Sequence, residues 1–226
     1  MAYTTKRLKN IAKNIDLRKT YSLKEAVEII KTNANAKFNE TIDVSVVLNI
    51  DSKKTDQNIR NSVVLPHGVG KTNVIAVFAK GPKAEEAKKA GADIVGEDDL
   101  IEAIQSGNIK FNRCIATPDM MATVGKVAKV LGPKGLMPNP KLGTVTNDVA
   151  AAIENIKKGL IEYKTDKSGI IHAGVGKASF DSSKLEENIS VFVDSIVKAK
   201  PATVKGNLIK KMSISSTMGI GLTFSL

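Results

Sequence analysis

The apolar pattern of this chain changes its period near residue 70 and changes back near residue 159, and few folds accommodate that. Phe38, Ile42, Val44, Val46 and Leu48 share one parity, with Glu40 as the exception. Asn39, Thr41, Asp43, Ser45 and Asn49 hold the other. Period two with one polar face predicts a half-exposed strand of an antiparallel sheet. Residues 60–65 read as another strand, ended by Pro66-His67-Gly68. Beyond residue 159 the same texture returns. Residues 160–165 and 170–173 read as strands around the turn Asp166-Lys167-Ser168-Gly169, and 211–215 as a last strand. Two helices accompany them. Ser22-Leu23-Lys24-Glu25 fits a capping box ahead of Ala26, Val27 and Ile30 at helical spacing. Ser183-Lys184-Leu185-Glu186 fits a second, opening a long helix over 183–199 that stops before Pro201.

Between these parts the run VIAVFA at 74–79 is continuous, as in a strand buried on both faces. Helix 82–90, strand 93–95, helix 97–106, strand 113–117 and helix 118–131 follow, then a Pro/Gly-rich loop at 132–143 and a helix near 147–158 ending at Gly159. Alternating strands and helices predict a parallel α/β unit with right-handed crossovers. The fold expected is therefore α/β with two domains. A discontinuous two-layer α+β domain, 1–69 and 160–226, receives the unit 70–159 in one of its loops, and insertion is cheap because domain ends lie close together.

The 226 residues carry a net charge of +11, which points to a polyanion partner. The surplus is uneven: the discontinuous part has 21 basic and 13 acidic side chains (+8), the inserted part 13 and 10 (+3). Residues 1–20 alone hold Lys6, Arg7, Lys9, Lys13, Arg18 and Lys19 against Asp16. The main polyanion site is expected on the discontinuous domain. Residues 120–147 contain Lys126, Lys129, Lys134 and Lys141 and no acid, whereas 84–102 hold seven acids. The inserted unit should have one basic end, centred on Lys126, Lys134 and Lys141 around the long loop. One cysteine and two histidines are too few for a structural zinc site, so no metal is expected, and no disulfide can form within the chain. No apolar run approaches membrane-spanning length, and the basic N-terminus lacks a following apolar segment, so a cytoplasmic protein with no membrane partner is expected.

Two glycine-rich runs fail as nucleotide sites. Gly68-Val69-Gly70-Lys71-Thr72 has Leu65 where a phosphate loop needs its first Gly, and it precedes a strand rather than a helix. Gly174-Val175-Gly176-Lys177 meets Ser179 where a dinucleotide fingerprint needs Gly. No cofactor is expected, and a nucleotide-dependent enzyme is disfavoured. Gly68, Gly70 and Gly159, beside the domain boundaries, suit a hinge. His67 reads as a packing residue in a turn, His172 as facing away from Ile171, and Cys114 as buried and inert. Phe38 reads as core first and as a base-stacking group second.

Lys37-Phe38-Asn39-Glu40-Thr41, Val64-Leu65-Pro66-His67-Gly68, the run LGPKGLMPNPK at 131–141, Gly143-Thr144-Val145-Thr146, Tyr163, Lys164-Thr165-Asp166-Lys167 and Ser216-Thr217-Met218-Gly219 lie in order along nearly the whole chain. Together they resemble the bacterial-type family of large-subunit ribosomal protein one, found in the mobile ribosomal stalk. The resemblance implies a discontinuous domain with a Rossmann-like three-layer insertion. It implies binding to large-subunit ribosomal RNA, help in releasing exit-site tRNA, and in many members repression of their own messenger RNA. It implies no enzymatic activity and a monomer outside the ribosome. Carried over by motif, the RNA-binding residues are Lys37, Phe38, Glu40, Thr41, Lys167, His172, Thr217, Met218 and Gly219. Glu40 is expected to orient a lysine or meet a 2′-OH, and Gly219 to let backbone approach RNA. The chain departs from the family after Gly219: Ile220 stands where Pro is usual, and Leu222-Thr223-Phe224-Ser225-Leu226 is apolar and lacks a basic residue. A general nucleic-acid chaperone is the remaining rival.

Overall fold

In the computed structural model the described residues are 7, 11, 15–52, 54–107 and 110–226. Lys6, Lys9 and Lys13 of the basic N-terminal run lie outside them. In chain order the elements begin β1 (Thr20–Ser22), α1 (Leu23–Asn33), β2 (Thr41–Leu48), β3 (Arg60–Val64), β4 (Ile75–Phe78), α2 (Pro82–Lys89), β5 (Ile94–Gly96), α3 (Asp98–Gln105) and β6 (Arg113–Ala116). They continue with α4 (Val149–Lys158), β7 (Leu160–Lys164), β8 (Ile170–Lys177), α5 (Ser182–Lys198), β9 (Ile209–Ser216) and β10 (Leu222–Ser225). The chain is mixed α/β and divides into two compact units, 1–70 with 161–226, and 71–160. Among the described residues no helix is long and apolar enough to cross a membrane.

The first unit is built on a five-stranded sheet of order β1-β10-β9-β2-β8. β2 lies antiparallel between β8 and β9. Its even residues Ile42, Val44, Val46 and Leu48 are buried and its odd ones half-exposed, as period two dictates. The buried face packs on Ala26, Val27 and Ile30 of α1 and on Leu185, Ile189, Phe192, Val193 and Ile196 of α5. The capping box at Ser22 is formed: its hydroxyl accepts from Glu25 N and the Glu25 carboxylate accepts from Ser22 N, each at 3.3 Å. The second box is not formed. α5 starts at Ser182 with Asp181 at its N-cap and no capping side-chain bond, and the Asp181 carboxylate instead pairs with Lys184 at 3.3 Å.

β8 runs on to Lys177, through the Gly-Val-Gly run. A Cβ on Gly176 would stand 2.7 Å from Leu185 Cδ2, so the glycine lets α5 pack close against the strand. The apolar tail, whose path the sequence left open, is β10. It pairs antiparallel with β9 and parallel with β1, and Leu222 and Phe224 are buried in the core. Asn188, fully buried on α5, accepts from His67 N (3.2 Å) and donates to Gly68 O (3.0 Å) and Val175 O (2.8 Å). His67 Nε2 lies 2.6 Å from Glu187 Oε2. The 66–70 segment is thereby tied to α5 and β8.

The second unit has a parallel sheet of order β5-β4-β6. Ala76 and Phe78 of β4 face one cluster, with Leu100, Ile104, Met120 and Leu131. Ile75, Val77 and Ala79 face the other, with Ala87, Val149, Ile153 and Ile156. Both sides of β4 are therefore apolar, which explains its unbroken run. Cys114 is buried, and desolvation pushes its thiol pKa up, so the thiolate is disfavoured. The single helix expected over 118–131 is instead four short alternating 3-10 and α-helical turns. Gly125 stands at the central break, where a helix interior is about 1 kcal/mol less favourable for Gly than for Ala.

Phe224, 2% exposed, fixes β10 to the core. Phe224→Ala is expected to destabilise the protein by about 3–5 kcal/mol in denaturant unfolding, while exposed Lys210→Ala should stay within about 0.5 kcal/mol.

Candidate nucleic-acid interface

The sheet face opposite the helices is polar. Strand register aligns Ser45 of β2 with His172 of β8 and Ser213 of β9, Asp43 with Gly174 and Ser215, and Ser213 with Thr223 of β10. Ser45 Oγ and His172 Nδ1 are 3.1 Å apart, and His172 is exposed, away from buried Ile171. Between Ile42 and Asp43 the β2–β8 register shifts, so Gly174 opposes Asp43 while Gly176 opposes Ile42. This bulge returns Lys177 to the polar face beside Thr41. Lys177 Nζ donates to Thr41 Oγ1 at 2.8 Å and to Asn39 O at 3.4 Å.

Thr41 is also locked to Thr217. Thr217 N donates to Thr41 O at 3.0 Å, and Thr41 N donates to Thr217 Oγ1 at 3.0 Å. The Thr217 hydroxyl thus replaces the next carbonyl of the ladder. Asn39 pairs with Ser179 through its side-chain amide, 2.9 Å from Nδ2 to Ser179 Oγ. These bonds bring Lys37, Phe38, Thr41, Thr217, Met218 and Gly219 to one end of the sheet. Phe38 and Met218 are each 53% exposed there, so the core reading of Phe38 is corrected. β2 begins only at Thr41; the alternation extends to buried Glu40 and is lost in the preceding loop that holds Phe38.

Glu40 is the centre of this end. It is 1% exposed, and its two oxygens take Met218 N (2.9 Å), Ala36 N (3.0 Å) and Arg7 Nη2 (3.2 Å). The expectation that Glu40 meets RNA or orients a lysine is therefore corrected. Its carboxylate is occupied inside the protein and orients Arg7, the 34–40 loop and the 217–219 turn. Burial pushes its pKa up, but the hydrogen bonds from Met218 N, the Ser216 side chain, Ala36 N and Arg7 outweigh this and hold it below the ordinary 4.5. Gly219 is explained from inside as well. A Cβ there would run into Ser216 Oγ, so the glycine is needed to pack over Ser216, whatever it allows outside.

Other expected residues are not gathered here. Lys167 is exposed at the tip of the β7–β8 turn, and its carbonyl accepts from Ser52 Oγ at 2.6 Å. From Ile170 to Lys177 the strand spans roughly 23 Å at about 3.3 Å per residue, so Lys167 marks the opposite end of the face. Between them, His172 Nε2 lies 3.8 Å from Asp166 Oδ2. The Ile170 and Ser168 amides and nearby His172 hold the Asp166 carboxyl below its ordinary value despite slight desolvation. In the second unit Lys126, Lys134 and Lys141 are exposed. Asn139 orders their loop: its side chain accepts from Lys141 N at 2.9 Å, and its N–H donates to Thr144 Oγ1 at 2.8 Å. Gly68, Gly70 and Gly159 all have positive φ. Gly68 O is held by Asn188, and a Cβ on Gly70 would touch Lys177 and Phe180 at 3.0 Å, so these two belong to the first unit's packing.

Sequence reasoning missed Lys177 and Arg7. Parity from His172 assigns Lys177 to the core side, and only the bulge reverses it. Arg7 was one basic residue in a run, and its partner lies 33 positions away. Glu40, by contrast, carried a signal: an acid at core parity must find internal donors.

A hydroxyl-rich sheet face with lysines at both ends and an exposed aromatic beside it has the chemistry of a polyanion-binding surface. Residues 30–220 match the model of the Ribosomal protein L1p/L10e family. The chain belongs to that family: it is a structural, ribosomal-RNA-binding constituent of the ribosome that serves translation, and it is not an enzyme.

A carboxylate whose pKa is depressed in the folded state contributes stability above its unfolded value and loses it as pH falls through the folded one. The Glu40 clamp should therefore persist at neutral and mildly acid pH and open only below 4.5. In a titration followed by NMR, the Met218 amide resonance should stay fixed down to that pH and move beneath it.

Proposed function

We propose that the polar sheet face of the first unit binds a folded element of large-subunit ribosomal RNA in the mobile stalk. The observation that carries this reading is the end built on Glu40, where exposed Phe38 and Met218 stand beside Lys37 and Lys177 on backbone that internal bonds keep rigid. Lysines at the two ends neutralise phosphates, and Phe38 offers a stacking surface to an unpaired base. Hydroxyls along β2 and β9 face 2′-hydroxyls and phosphates between them. Such a fixed, two-ended platform suits folded RNA read by shape.

Two further parts of the reading concern the second unit and regulation. Exposed Lys126, Lys134 and Lys141, in a stretch without acids, suit contact with exit-site tRNA and assistance in its release. A messenger RNA carrying a copy of the same folded element would compete for the first unit, and such binding would repress translation of the protein's own message. The inserted unit is taken to pivot at Gly159 and in the segment 71–74 next to Gly68 and Gly70, whose own contacts lie within the first unit. Small-angle scattering should then show different shapes for the free and RNA-bound protein, and one unchanged compact shape would count against the pivot.

The binding reading is tested with a transcript of the stalk element and excess unrelated tRNA at physiological salt. Wild-type protein should keep the transcript, whereas a general chaperone would release it. Thr217→Ala removes the hydroxyl that both accepts from Thr41 N and borders the face, and should weaken binding at least tenfold, about 1.4 kcal/mol. Lys167→Ala should instead lower the slope of log K against log salt by about one.

A further inference from the structure

We propose that Arg7 is a positioning residue for RNA binding: it closes the Glu40 clamp from the protein side and so sets the 34–40 loop and the 217–219 turn in the arrangement that RNA meets. This rests on the reading of the face as the RNA site.

Arg7 Nη2 donates to Glu40 Oε1 and to Asn33 O, each at 3.2 Å. Asn33 is the last residue of α1, where helix carbonyls lack intrahelical partners and the helix dipole favours a cation. One guanidinium thus joins a helix end to a buried carboxylate. Across that carboxylate, Oε1 also takes Ala36 N and Oε2 takes Met218 N. Ala36 begins the segment carrying Lys37 and Phe38, and Met218 is the centre of the Thr217–Gly219 turn. Both groups of exposed residues therefore depend on the orientation of one side chain, whose charge Arg7 balances.

The nearby lysines do not take this role. Lys177 Nζ reaches Thr41 Oγ1 and Asn39 O, and Lys37 is exposed on the loop itself. Among the described residues Arg7 is the cation paired with Glu40. Removing it leaves a buried anion with one donor fewer, which loosens both segments without touching the RNA-facing side chains. A lysine would restore the charge on a compact, more strongly hydrated ammonium in place of the delocalised guanidinium whose Nη2 meets both acceptors.

The test compares wild-type, Arg7→Gln, Arg7→Lys, Glu40→Gln and the Arg7→Gln/Glu40→Gln double variant, all full length. In the free protein, Arg7→Gln should shift the Met218 amide resonance and speed its hydrogen exchange, while resonances of the second unit stay put. Against the stalk transcript, Arg7→Gln should weaken binding about tenfold with the salt slope unchanged, and Arg7→Lys should recover part of the loss. The double variant should bind no more weakly than Glu40→Gln alone, because both changes break one clamp. Phe224→Ala, destabilised away from the clamp, should keep wild-type affinity where it is folded, which separates positioning from general loss of stability. A salt slope lower by about one in Arg7→Gln would place Arg7 on a phosphate and overturn the proposal. So would unchanged affinity in Arg7→Gln, or additive losses in the double variant. If wild-type protein shows no preference for the transcript, the reading of the face fails instead, and an unmoved Met218 amide in free Arg7→Gln still overturns the Arg7 linkage.

Discussion

Strand β2 cannot slip. Its even residues form the wall of the first unit's core and its odd residues form the floor of the polar face, so a one-residue shift would bury Thr41, Asp43 and Ser45 and expose Ile42, Val44 and Val46. It pairs on both edges, with β8 and β9, and every other part of the interface is placed by that pairing. His172 meets Ser45 and Lys177 reaches Thr41 because both lie on β8, registered against β2, and Thr217 meets Thr41 because it directly follows β9. The irregularity on the β8 edge, the bulge at Ile42 and Asp43, turns a lysine outward where strict alternation would have buried it.

At the strand's start the two demands meet in Glu40. Core parity carries the side chain inward, and an isolated carboxylate there would be costly. The surrounding chain supplies backbone amides, a hydroxyl and a guanidinium, and the carboxylate stays ionised in return. A fully satisfied buried anion is stiff, because any displacement leaves a donor or acceptor unpaired. Exposed Phe38 and Met218 thereby gain a rigid mounting. Large apolar groups on the surface are otherwise free to collapse onto their neighbours, and here the backbone behind them is held.

The second unit solves a different problem. Its central strand is apolar on both faces and so must be covered on both, which the helices and short turns around it do. Its basic residues lie on turns and a proline-rich loop whose order comes from Asn139 and Thr144. The lysines there have an ordered base, and most of the unit's acids fall in the separate 84–102 stretch of the chain.

Much of this was legible in the residues themselves. Period two, the continuous run at 74–79 and the return of period two after 159 are local consequences of how many faces of a strand are buried, so the mixed α/β character could be read without coordinates, while the class of ribosomal-RNA-binding protein came from the motif resemblance alone. The capping box at Ser22 was legible because its partners are three residues apart. The second box was not, since Asp181 and Lys184 competed for the helix start. Phe38 was misassigned because the strand begins at Thr41, and Lys177 because a bulge inverts parity. The sequence by itself determined which segments alternate, where charge accumulates and that an acid sits at a core position. Only the tertiary structure decided that Met218 N, Ala36 N and Arg7 converge on that acid, because hydrogen bonds between residues up to 178 positions apart depend on strand register and loop path, which no local pattern encodes.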